Sequence, residues 1–97
     1  MGTEFFKRCG NPVSFDLEGQ RFVITGAGRG IGKAIGQRFA ELGARVSAWD
    51  LNLAEIASDP AFEHSVQVDV TDEASVSKGI EASLGALRGL EGFIASA

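Results

Sequence analysis

The sequence predicts an α/β protein, the N-terminal half of a doubly wound parallel sheet with strand order 3-2-1-4 and helices on both faces, three layers in all. Three observations lead there. Short apolar runs suited to buried strands alternate with longer stretches whose apolar residues recur at helical spacing. Four glycines fall within seven residues, at 26, 28, 30 and 32, and join the first apolar run directly to the first helical stretch. Strand and helix alternate to the end of the chain, which favours right-handed crossovers over a sandwich or a bundle.

Residues 1 to 15 mix charges with Gly10, Asn11 and Pro12 and follow neither period, so a flexible arm or cloning remnant is expected there and a single domain over 16–97. Gly19 permits a turn into the first strand, predicted over 21–25, where Phe22, Val23 and Ile24 end abruptly in Thr25-Gly26. The first helix is predicted over 30–42. Ile31, Ile35, Phe39 and Leu42 lay one apolar stripe along it, and Gly43 closes it. A strand over 44–49 and a short helix over 52–57 follow, the latter stopped before Pro60. The third strand is predicted over 65–70 and the last helix over 72–88, with Val76, Ile80, Leu84 and Leu87 as its core stripe and Asp72 and Glu73 in the first turn, where the dipole favours them. A fourth strand occupies 93–96. Trp49 is expected in the core and His64 facing water, with Lys33, Arg38 and Glu41 on the wet side of the first helix.

Composition narrows the function. Nine basic against thirteen acidic residues leave a net charge of −4, and no basic cluster exceeds Lys7-Arg8, which disfavours nucleic acid and anionic membranes as partners. One cysteine, Cys9, and one histidine provide neither an internal disulfide nor a metal cluster. No run of about 18 apolar residues and no secretory core is present, so the cytoplasm is the expected location.

A strand, a glycine turn and a helix without a spacer suit anion binding, because glycines let a phosphate approach the backbone and the helix start offers unpaired N–H groups. Spacing separates the known versions. The triphosphate loop G-x-x-x-x-G-K-[ST] fails, since the frame ending in Gly32-Lys33 begins at Ala27 and continues with Ala34. The pattern G-x-G-x-x-G starts with Gly26 and Gly28 but meets Ile31 at its third glycine. T-G-x-x-x-G-x-G fits, with Thr25, Gly26, Gly30 and Gly32 in place, and here the chain resembles the short-chain dehydrogenase/reductase family.

That resemblance implies a Rossmann-like fold with a nicotinamide dinucleotide in the crevice above strands 1 and 4, where the strand order reverses. It implies that Thr25 braces the turn, that Gly28 and Arg29 belong to the phosphate loop, and that the N–H groups of Gly30 and Ile31 reach the pyrophosphate. Asp50, twenty-four residues after Gly26, would accept from the adenosine ribose hydroxyls. Its charge would repel a 2′-phosphate, favouring NAD over NADP, whereas Arg29 could meet such a phosphate. Leu51 would pack near the adenine face. Asp69 would accept from the adenine amino group, with the Val70 N–H reaching a ring nitrogen. Ser96 stands where the family carries asparagine, between Ala95 and Ala97. Read singly, Asp50 also suits a cap for the helix at 52, Asp69 a strand-end turn before Thr71 or Asp72, Arg29 a solvated loop and Ser96 a plain strand end.

The family's acid/base is a tyrosine in Tyr-x-x-x-Lys, and these 97 residues contain no tyrosine. No catalytic residue is therefore assigned, and turnover by this chain alone is not expected. The expected function is the NAD-binding portion of an oxidoreductase acting on a CH–OH or carbonyl group, the alternative a non-catalytic NAD(H)-binding or interaction module. An apolar fourth strand at the sheet edge would favour self-association.

Overall fold

A computed structural model describes residues 17–96; the arm expected over 1–15, with Cys9, lies outside the described residues. β1 (Arg21–Thr25), β2 (Arg45–Asp50), β3 (His64–Gln67) and β4 (Gly92–Ile94) form one sheet in the order β3-β2-β1-β4, every neighbouring pair parallel. The helices α1 (Gly30–Glu41), α2 (Ala54–Ala57) and α3 (Glu73–Leu87) supply the crossovers. The predicted topology is the observed one.

Period-two alternation on the central strands makes two cores. Phe22, Ile24, Val46 and Ala48 face one side, with Ile35 and Phe39 of α1 and Ile56 of α2. Val23 and Trp49 face the other, with Val68, Val76 and Leu90. Among the described residues no buried side-chain polar atom lacks a partner, and no helix is long and apolar enough to cross a membrane.

Both long helices keep part of their predicted stripes, Ile35 and Phe39 in α1 and Val76 and Leu87 in α3, but seat a neighbouring row of small residues deepest against the sheet side. The buried residues of α1 are Gly32 and Gly36, Ile35 and Phe39 only flank them, and Ile31 is 76% exposed. In α3 the buried row is Gly79, Ser83 and Leu87, which turns Ile80 and Leu84 outward. The cause is interlayer distance. A Cβ on Gly36 would stand 2.6 Å from the Phe62 ring, and one on Gly79 would stand 2.8 Å from Val68 Cγ2. The smallest residues therefore form the contact row, and hydrophobicity alone misplaces it.

Element ends differ for local reasons. β3 closes at Gln67 rather than 70; Val68 still donates to the Asp50 carbonyl at 3.2 Å, and the chain then turns at Asp69. α2 begins at Ala54 with Leu53 as its N-cap residue, and Asn52 Oδ1 accepts the Ala54 N–H at 3.2 Å in the turn that leads into it. Asp72 is the N-cap of α3, accepting the Ala74 N–H at 3.0 Å.

His64 does not simply face water. Its Nδ1 lies 2.8 Å from Ser47 Oγ, which lies 2.8 Å from Ser83 Oγ, which accepts the Trp49 indole N–H at 3.0 Å. Both serines are fully buried. The chain of bonds links β3, β2 and α3, and the Trp49 ring stands edge-on to Phe93 of β4 with centroids 5.2 Å apart.

The start of β1 is tied to the α3–β4 turn. Arg21 donates to the Glu91 carboxylate from its side chain and from its backbone N–H, and these bonds, side chain first, draw the Glu91 pKa from 4.5 to about 2. A carboxylate depressed in the folded state stabilises above its ordinary pKa and loses that contribution as pH falls. Glu91→Gln should therefore flatten the acid limb of the stability curve between pH 4.5 and about 2 and leave its shape unchanged above. Urea unfolding across that range checks this; parallel acid limbs would exclude the pair as a contributor.

Candidate functional site

The turn from β1 into α1 is built against the ends of β2 and β4. Ala27 N–H donates to the Trp49 carbonyl at 3.1 Å and Gly28 N–H to Asp50 Oδ2 at 2.8 Å. Thr25, itself buried, accepts the Ser96 N–H at 2.9 Å, bracing the β4 end against the turn. Gly30 has φ +64, a left-handed conformation that side chains disfavour. At Gly32 a Cβ would collide with the Gly26 carbonyl oxygen.

The start of α1 lacks the cap that α3 has. Arg29 occupies the N-cap in extended conformation with no side-chain cap bond, and no acidic residue lies in the first turn. The helix ladder begins with Lys33 N–H donating to the Arg29 carbonyl at 3.4 Å, so the amides of Gly30, Ile31 and Gly32 point out of the first turn as helix geometry requires. An open turn of this kind carries about half a positive charge and suits an anion.

Beside it lies a cavity of about 320 Å³ whose walls include Gly26, Arg29, Asp50, Leu51, Val70 and Ser96, with Trp49, Asn52 and Val68 completing it. Asp50 is held at the β2 end by two donors, Gly28 N–H on Oδ2 and Asn52 N–H at 3.0 Å on Oδ1. The bond to Asn52 is a local turn ahead of α2 rather than a cap on the helix, and Asp50 also lines the cavity. Gly28, Gly30, Ile31 and Gly32 form the adjoining turn, and Thr25 faces a second, apolar cavity of about 330 Å³ with Trp49, Val70, Val76, Phe93 and Ala95. A wider, shallow hollow of about 660 Å³ beside Gln37, Glu41, Asp59 and Glu63 shares no residue with the turn.

Asp69 stands slightly apart. Its flanking residues Val68 and Val70 line the cavity, whereas its own Oδ1 accepts the Thr71 hydroxyl at 2.6 Å and the Thr71 N–H at 2.9 Å, which holds the carboxyl below the usual carboxylate range. Arg29 extends into solvent, its side chain 88% exposed, with Nε 3.8 Å from Glu55 Oε1. Among the described residues no three His, Cys, Asp or Glu side chains converge as a metal site requires.

Residues 20–97 match the family described as short chain dehydrogenase. The chain belongs to that family. Among curated short-chain dehydrogenase relatives, D-threitol dehydrogenase of Mycolicibacterium smegmatis is 38% identical over 79 residues, 72% of this chain and 30% of its own length. Sorbitol dehydrogenase of Cereibacter sphaeroides is 40% identical over 67 residues, 64% of this chain and 26% of its own length. Among solved structures, a 3-ketoacyl-(acyl-carrier-protein) reductase from Brucella melitensis complexed with NADH superposes with a TM-score of 0.75 at 32% identity, covering 80% of this chain and 34% of that one. A hydroxysteroid dehydrogenase from Escherichia coli gives 0.81 at 29% identity, covering 90% and 39%. The chain spans about a third or less of the length of the curated relatives it matches.

Sequence reasoning missed Asn52 and Val68 as cavity walls and Glu55 beside Arg29. The helix predicted over 52–57 takes in Asn52 and so hides it; Val68 and Glu55 carry no signal of their own, because only the β2–β3 pairing and the short α2 bring them near the glycine turn.

Proposed function

We propose that this chain is the NAD-binding portion of a short-chain oxidoreductase acting on a CH–OH or carbonyl group, and that it holds the adenosine and pyrophosphate of the cofactor. One observation carries the reading: Gly26 and Arg29 of the glycine turn, Arg29 being the uncapped N-cap of α1, line the same cavity as Asp50. The pyrophosphate would take the N–H groups of Gly30 and Ile31. The ribose hydroxyls would donate to Asp50, whose oxygens each retain acceptor capacity beyond the Gly28 and Asn52 bonds. Leu51 and Val70 would flank the adenine. Asp69, kept ionised by Thr71 and so acceptor-only, would take the adenine amino group beside the Val70 N–H. Ser96 closes the β4 side.

Asp50 makes NAD the favoured cofactor, since a 2′-phosphate would be brought against a carboxylate. Hydride chemistry would belong to the nicotinamide; the residues of this chain bind and orient. The β4 edge, with Phe93 exposed on it, offers a second copy a surface for self-association.

Titration of NADH against Trp49 fluorescence, backed by calorimetry, tests the reading. Asp50→Ala is expected to weaken binding by about 1–3 kcal/mol, roughly 5- to 150-fold, through loss of a charged acceptor. Equal affinity in both proteins would remove Asp50 from the ribose site.

A further inference from the structure

Building on the dinucleotide reading, we propose that Glu55 helps set cofactor choice by holding Arg29 away from a 2′-phosphate. Arg29 is the basic side chain in the cavity wall, and it extends freely enough to reach such a phosphate. Its ion-pair partner is Glu55, in the first turn of α2. That acid is not loosely placed. A Cβ on Gly28 would stand 2.9 Å from Glu55 Cβ and 2.7 Å from Asp50 Oδ2, so both acidic residues lie close against the same face of the glycine turn. The Glu55 backbone is anchored there by α2, whose Ile56 is fully buried.

The two acidic residues therefore have separate tasks. Asp50 faces the ribose directly, and Glu55 works through Arg29, which makes Glu55 a positioning residue. A cofactor bearing a 2′-phosphate would have to draw Arg29 off Glu55 as well as approach Asp50. With Glu55 neutral, Arg29 is released to balance the phosphate, while NAD, which presents only hydroxyls there, is indifferent to the change.

The experiment measures NADH and NADPH affinities for the full 97-residue chain as wild type, Glu55→Gln, Arg29→Gln and the double variant. Glu55→Gln is expected to tighten NADPH binding about two- to fivefold, the range set by an exposed ion pair, with NADH unchanged. The gain should vanish when Arg29→Gln is present. Glu55→Ala, which also favours the helix, repeats the measurement should Glu55→Gln fail to fold. An unchanged NADPH-to-NADH ratio in a chain that binds NADH would overturn this inference alone, as would a gain that persists without Arg29. Binding of neither cofactor by the wild type would overturn the dinucleotide reading and this inference together.

Discussion

Trp49→Ala is expected to leave the chain largely unfolded at 25 °C. The indole is fully buried on the α3 face of β2, packed with Val23 and Val68 and edge-on to Phe93. Truncating a core tryptophan costs about 3–5 kcal/mol through lost transfer energy and an unfilled cavity. The variant also deprives Ser83 of the indole N–H inside the buried chain of hydroxyls, adding about 1–3 kcal/mol. Set against a total stability of about 5–15 kcal/mol, and toward the lower end for a chain this short, the sum removes most of it. Urea unfolding followed by far-ultraviolet circular dichroism is the measurement, since the fluorophore itself is lost. Trp49→Phe separates the two causes: it keeps most of the ring and loses only the donor, so its cost should be well under half that of the alanine variant. A Trp49→Ala chain within 1 kcal/mol of the wild type, the usual scale of a benign surface change, would refute the packing account.

Gly32→Ala is expected to lower stability by about 1–3 kcal/mol or more and to weaken NADH binding at least roughly tenfold. The added methyl would meet the Gly26 carbonyl oxygen, with the Gly26 carbonyl carbon at 2.7 Å and Ser96 Oγ at 2.9 Å. Two of these are backbone atoms and cannot swing aside as a side chain would. The first turn of α1 must then move off the β1 turn, carrying the Gly30 and Ile31 amides with it, and a binding constellation tolerates only about 0.5 Å of such movement. Gly85→Ala is the control. Nothing lies within 4 Å of its Cβ position, so the same change in the exposed part of α3 should stabilise by about 0.5–1 kcal/mol. If both variants melted alike and bound NADH alike, close approach at Gly32 would not be the reason for its glycine.

Much of this arrangement was legible in the sequence because it rests on local chemistry. The parallel sheet follows from alternation of periods, the start of the last helix from Asp72 and Glu73, and the cavity wall from a glycine turn plus an acid at the end of the second strand. The helix faces were not legible. Hydrophobic stripes named Ile31, Ile80 and Leu84, whereas layer spacing selects Gly32, Gly36, Gly79 and Ser83, and no single-helix pattern encodes how near a sheet lies. The hydroxyl chain was hidden for another reason: Ser47, His64 and Ser83 come from three separate elements, and each alone resembles a surface residue. Glu55 was hidden too, since only the fold of the short α2 brings it beside Arg29.

β3 is four residues long and borders the sheet on one side only, so few ladder bonds oppose its sliding along β2. A slip of one position would send the imidazole of His64 to the opposite face and bring Glu63 or Ser65 opposite Ser47. The Ser47 hydroxyl would lose its imidazole partner or confront a desolvated carboxylate, a penalty of about 1–3 kcal/mol. The polar cluster inside an otherwise oily layer thus ties the register of the edge strand to the packing beneath it, so that a shifted pairing is opposed by a stranded buried hydroxyl as well as by lost backbone bonds.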